Sequence, residues 1–205
     1  MFRMNERISW MLLGILVVGI GITGCYAQGP VPIPLPIFST PADNSSSITP
    51  SALLSYENLT YSFKMNYPQD WPMKEAGTND MNMVVGFLAP GEDMANPSNY
   101  VIVQVENLPD KQTLTLDQYG QAVIDNLKKT YPDFNLISTN NIEISNTSAK
   151  ELVYTLSIDQ APYKETLAYT IQNDKAYVIT YYASPDKYLE FEGAVEGMIN
   201  SFSFF

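Results

Sequence analysis

Histidine is absent from all 205 residues, cysteine occurs once, as Cys25, and arginine twice, as Arg3 and Arg7. Each shortage excludes a chemistry. Without imidazole there is no base for a Ser-His-Asp or Cys-His nucleophile. Zinc centres built of Cys and His are excluded as well. A lone thiol forms no disulfide within the chain, so packing must hold the fold. Both Arg precede Cys25; a chain cut there keeps nine Lys (11 Lys plus Arg, less the two Arg) and no guanidinium for bidentate capture of phosphate or carboxylate. Positive charge is scarce overall: 22 acidic side chains give a formal net charge of -11. Such a surface repels phosphate backbones, which argues against nucleic acid as a partner.

What is present suits one packed domain with appendages. Hydrophobic residues make up 45% and aromatic residues 12%, too much apolar material for a disordered chain. Arg3 and Arg7 lie in a short polar head, and Ile8 to Ile22 is an uncharged apolar run. The run has the length of a signal h-region and falls short of the roughly 20 residues of a spanning helix. It ends in Ile22-Thr23-Gly24-Cys25, which resembles the lipobox of prokaryotic lipoproteins. The expectation is a signal peptide over residues 1–24 and lipidation of Cys25. The chain would then sit lipid-anchored on the outer face of the cytoplasmic membrane of a prokaryote. The alternative is an uncleaved anchor with an idle Cys25.

Residues 25–55 read as a Pro/Ser-rich tether. Pro30, Pro32, Pro34 and Pro36 alternate with aliphatic residues and favour a stiff, extended chain. Thr40 to Ser51 is rich in Ser, Thr, Pro and Asn. Three glycosylation sequons begin at Asn44, Asn58 and Asn146, while a proline follows Asn96 and rules that one out.

Residues 56–205 alternate strand and helix patterns. Tyr61, Phe63, Met65 and Tyr67 recur at every second position and predict a half-buried strand. It ends at Tyr67-Pro68-Gln69-Asp70-Trp71, where Trp71 is read as a core plug. Val84 to Leu88 and Tyr100 to Val105 predict two more strands. Leu116, Tyr119, Val123 and Leu127 change to helical spacing, with Thr115 and Gln118 as a capping box. A strand over 137–144 and an antiparallel meander follow; the meander's last hairpin turns at Asn173-Asp174. Ser184 is expected to cap a final helix, with Pro185 at its first position and an apolar stripe of Tyr188, Phe191, Val195, Met198 and Phe202. The fold class is therefore α+β, with helices packed on an antiparallel sheet.

The Tyr-Pro-x-x-Trp element at Tyr67 to Trp71, the Val84-Val85-Gly86-Phe87 segment, the mid-chain helix and the terminal Met198-Ile199-Asn200-Ser201-Phe202 run resemble the PsbP family. These are extrinsic proteins of the photosystem II oxygen-evolving complex and their relatives in organisms without photosynthesis. The resemblance covers residues 56–205. It implies an α-β-α sandwich around a central antiparallel sheet. It also implies docking on a membrane-embedded assembly, in some members with influence on calcium, manganese or chloride, and it does not imply an enzyme. Metal-linked histidines of photosynthetic members have no counterpart here, and basic docking patches have little.

Candidate sites are few. Glu92 and Asp93, in the Pro90-Gly91 turn with Asn96 and Asn99 beyond, are oxygen ligands that suit weak calcium binding. No other cofactor is expected. Glu192 and Glu196 share a helix face opposite the apolar stripe and read as solvated. Tyr177, Tyr181 and Tyr182 crowd one strand, and any that face outward would form a docking surface. The reading is a non-enzymatic binding or assembly module that meets the membrane through its lipid and docks on a membrane or cell-surface protein. The alternatives are a carbohydrate- or small-molecule-binding lipoprotein and a hydrolase working through paired carboxylates, which needs no histidine.

Overall fold

The computed structural model describes residues 52–76, 82–108 and 114–205. Cys25, Asn44 and the segments read as signal and tether up to residue 51 lie outside the described residues. In chain order the elements are β1 (Leu53–Asn58), β2 (Phe63–Pro68), β3 (Met73–Glu75), β4 (Met83–Leu88), β5 (Tyr100–Asn107), α1 (Leu116–Thr130), β6 (Asn135–Ile144), β7 (Thr147–Ile158), β8 (Ala161–Gln172), β9 (Lys175–Ala183), α2 (Tyr188–Ser201) and β10 (Ser203–Phe204). Among the described residues seven strands form one sheet in the order β3-β4-β5-β9-β8-β7-β6, and three form a second in the order β1-β2-β10. Each of these pairings is antiparallel.

Alternation along β9 explains the layering. Tyr177, Ile179, Tyr181 and Ala183 point into one core, with Phe63, Met65, Trp71 and the α2 residues Tyr188, Phe191, Val195 and Met198. Ala176 and Val178 point into another, with the α1 residues Tyr119, Val123, Ile124 and Leu127. The large sheet therefore separates α1 from α2 and the small sheet, as an α-β-α sandwich requires. Phe63 is stacked on Phe202 at 4.8 Å, and Trp71 meets Phe191 edge-on at 5.7 Å, so β2 and its turn are sealed against α2.

Local chemistry sets the element ends. Thr115 Oγ1 accepts from the Gln118 N–H at 3.2 Å, while Gln118 Oε1 accepts from the Thr115 N–H at 3.0 Å, the reciprocal capping box. Lys128 and Lys129 lie in the last turn of α1, where they oppose the negative end of its dipole. Three hairpins turn on residue pairs with positive φ: Ser145-Asn146, Asp159-Gln160 and Asn173-Asp174.

Three sequence expectations change. Strand β1 begins at Leu53, inside the segment read as tether. The chain adds β10 after α2 and so completes a second sheet the sequence pattern did not reveal. Helix α2 starts at Tyr188, and Ser184 does not cap it. The buried Asn99 claims Ser184 instead, its Oδ1 accepting from the Ser184 N–H at 3.2 Å. The Ser184 carbonyl accepts from the Lys187 N–H at 3.0 Å, so Pro185 lies in a turn ahead of the helix.

Candidate functional site

One row crosses the α1 side of the large sheet: Tyr100 on β5 lies opposite Tyr182 on β9, which lies opposite Glu165 on β8, which lies opposite Tyr154 on β7. The four are at most 5% exposed. Tyr100 and Tyr182 stack at 4.7 Å with their planes 17° apart, a geometry that adds about 1 kcal/mol beyond burial. Leu88, Ile102, Met83 and Tyr163 pack around them. A single carboxyl thus sits in an aromatic interior, and burial pushes its pKa from 4.5 to about 8, against the opposing effect of a hydrogen bond with Tyr154. Glu165 is accordingly protonated at neutral pH. Burial, reinforced by the carboxyl and neighbouring phenols, holds Tyr100 and Tyr154 well above the usual phenol range, and Tyr182 likewise.

Among the described residues Glu165 Oε1 and Gln104 Oε1 have no hydrogen-bond partner, and Thr180, whose side chain bonds the Tyr182 phenol, lies on the same face. Thr180 is diagonal to both, because it faces Ile102 on β5 and Leu167 on β8. Three strands therefore carry a diagonal of buried polar side chains, and the oxygens of Glu165 and Gln104 at its ends suit internal water.

A second buried carboxyl, Glu106, accepts from the Tyr119 hydroxyl at 2.9 Å. Burial raises its pKa to about 7, with the Tyr119 bond pulling the other way. Glu106 lies opposite Ala176 and Glu165 opposite Tyr182, six residues apart along β9. At about 3.3 Å per residue they stand about 20 Å apart. Paired-carboxylate hydrolysis needs roughly 5 to 9.5 Å. Neither carboxyl was singled out from the sequence. For Glu165 the signal existed: it shares strand parity with Leu167 and Tyr169, both inward.

The sequence candidates are placed as follows. Tyr177, Tyr181 and Tyr182 are 5%, 1% and 5% exposed, so the expected aromatic docking surface is corrected. The large sheet is covered on both faces, and these residues fill its middle strand. Tyr177 donates to the Tyr61 carbonyl at 3.2 Å and Tyr181 to the Tyr188 carbonyl at 3.2 Å. Glu92 spends both oxygens on its own loop, accepting from the Ser98 N–H and the Asn99 side-chain amide, each at 2.6 Å. Asp93 accepts from the Ala95 N–H at 3.0 Å. Among the described residues no three acidic, Cys or His side chains gather as a metal site. Asn58 is engaged at both amide atoms, donating to the Tyr56 hydroxyl and accepting from the Tyr61 N–H, each at 3.0 Å. Asn146 is exposed at the tip of the β6–β7 hairpin. Glu192 is half-buried, and Glu196 is exposed.

At the β6 border of the sheet, beside the first turn of α1, lies an open depression of about 770 Å³. Leu116, Asp117, Asn141, Glu143, Ser148 and Lys150 line it, and Lys150 forms an ion pair with Asp117. Among the described residues no helix is long and apolar enough to cross a membrane.

Comparison with known proteins bears on this architecture. The model of the PsbP-like protein family matches residues 39–204. No curated protein matches the sequence. The solution structure of cyanobacterial PsbP (CyanoP) from Synechocystis sp. PCC 6803 is similar, with TM-score 0.58 and 13% identity over 80% of this chain and 98% of that one. LpqN of Mycobacterium tuberculosis, described as involved in cell envelope biogenesis, has TM-score 0.51 and 13% identity over 77% of this chain and 86% of its own. The Saccharomyces cerevisiae Ran-binding protein Mog1p has TM-score 0.52 and 10% identity over 75% and 96%. Identities this low speak for a shared fold and nothing finer. Since the family model spans well over half the sequence and the sandwich is the one the Tyr-Pro-x-x-Trp resemblance implied, this chain belongs to the PsbP-like protein family.

Proposed function

We propose that the chain is a lipid-anchored, extracytoplasmic binding or assembly module, without catalytic activity, that docks on a membrane or cell-surface protein. The observation that carries this reading is the place of the two carboxyls whose pKa burial raises. Glu106 and Glu165, whose pKa values reach about 7 and about 8, lie in the interior about 20 Å apart. A reagent needs an approach for substrate; these two face tyrosines, threonine and aliphatic side chains. Titratable carboxyls serve here as parts of a core, leaving the surface for contact. The likeness to CyanoP, to an envelope protein and to a Ran-binding protein supports a fold used for recognition. The apolar run ending at Cys25 supports the anchor.

Membrane fractionation with intact-mass measurement tests the reading. The expected product starts at Cys25, carries acyl chains and sediments with membranes, and Cys25→Ser abolishes both properties. An intact Met1 with an unmodified thiol would overturn the anchor. Turnover by the full chain that Glu165→Gln or Glu106→Gln abolishes would overturn the non-enzymatic claim.

A further inference from the structure

We infer that the outer edge of β6, over residues 138–144, is a docking edge for an extended, Lys- or Arg-bearing segment of a protein partner, which adds to the large sheet as an eighth strand. The inference rests on the binding-module reading and names its surface. Strand β6 ends the seven-stranded order and, among the described residues, pairs with β7 alone. It is ten residues long, against three for β3 at the other edge. Natural edges are blunted by shortness, Lys, Pro or covering elements. Here the strand reads Asn-Leu-Ile-Ser-Thr-Asn-Asn-Ile-Glu-Ile, with no Lys or Pro and one charge, Glu143. The bulge between Leu136 and Ser138 breaks register at one end and leaves 138–144 in continuous pairing with β7. Thr139, Asn140, Asn141 and Glu143 are exposed. Unpaired backbone groups along such an edge recognise an extended chain, and pockets beside it select alternate side chains.

The charge at this edge selects the occupant. Glu143 has no ion-pair partner among the described residues and stands at the rim of the depression beside α1. Asp117 is 79% exposed there, while Lys150, at 17%, is turned onto it. The net charge of -11 extends the preference to a distance. A second copy of the chain would bring its own Glu143 and the same excess of negative charge to the contact. The chain's own residues 30–36 carry a proline at every second position, and proline has no N–H to complete a ladder.

Hydrogen–deuterium exchange on the full chain tests this with alternating six-residue peptides, Lys-Val-Lys-Thr-Lys-Val and its Glu-for-Lys counterpart. Slower exchange over 138–144 with the basic peptide alone is the expected result. The double variant Thr139→Lys, Glu143→Lys, at two exposed sites that leave melting unchanged, weakens that protection about tenfold. Protection absent from β6, located elsewhere, or equal for both peptides overturns the proposal. So does light scattering that shows a dimer dissolved by the double variant, since a second copy then owns the edge. A silent β6 edge in a chain that still crosslinks a partner through other residues defeats this proposal alone; no partner at all defeats the binding reading with it.

Discussion

Glu165 sets the stability of the domain against pH. Its folded pKa of about 8 lies above the ordinary 4.5, so between those values the native state holds a proton that the unfolded state has released. Stability therefore falls as pH rises through that window. Glu106 adds to the fall up to about pH 7. Glu165→Gln, neutral at every pH, should leave the chain more stable than wild type at pH 9 and remove the part of the slope above pH 7. Melting curves from pH 5 to pH 9 check this; parallel curves for the two proteins would contradict it. Gly120 carries a second residue-scale constraint. A Cβ there would overlap the Tyr169 hydroxyl, which passes over the helix backbone to donate to the Leu116 carbonyl at 3.0 Å. Gly120→Ala should cost about 2 kcal/mol by overpacking, although alanine favours a helix over glycine by roughly 1 kcal/mol. In a Tyr169→Phe background the same change should cost much less, as urea unfolding of the four proteins would show.

Among the elements, the hairpin turns hold strain of unequal size. Asn173-Asp174 and Ser145-Asn146 place Asn and Asp where a short polar side chain tolerates positive φ, whereas Gln160, at φ 69°, has no such excuse. Gln160→Gly should stabilise by about 1 kcal/mol and Asp174→Gly by a few tenths, measured by the same unfolding curves. The pairs that turn these hairpins illustrate what was legible beforehand. Asn173-Asp174, the Thr115–Gln118 box and the Phe63, Met65, Tyr67 alternation are local signals, and each became the element it announced. Strand β1 was illegible because its Leu53 and Leu54 are exposed and only Tyr56 is buried, so no period marks it. Two-residue β10 is too short to carry a period. Ser184 carried a cap signal, but Asn99, 85 positions away, competes for it, and no local rule anticipates a distant acceptor. The same holds at the candidate site. Tyr177 and Tyr182 occupy opposite faces of one strand, and only the sandwich shows that both faces are covered. Strand parity with Leu167 and Tyr169 puts Glu165 on an inward face, but only the pairing with β7 and β9 shows that Tyr154 and Tyr182 flank it.

Taken together, a chain without histidine packs the two carboxyls whose pKa burial raises, Glu106 and Glu165, inside, and its described large sheet ends at an exposed β6 edge. Glu165, 2% exposed, is closed off in the folded state, in keeping with our proposal of recognition at the exterior and attachment at Cys25. If attraction to a basic segment contributes, association should weaken as ionic strength rises from 0.05 to 0.5 M, values at which exposed charges pass from partly to strongly screened (about 10 Å Debye length at 0.1 M). The most direct test is crosslinking of the full chain in its native membranes, followed by identification of the joined peptides. The expected result is one recurrent protein partner joined through surface residues of the domain and lost in Cys25→Ser. Recovery of no recurrent partner across growth conditions would contradict it.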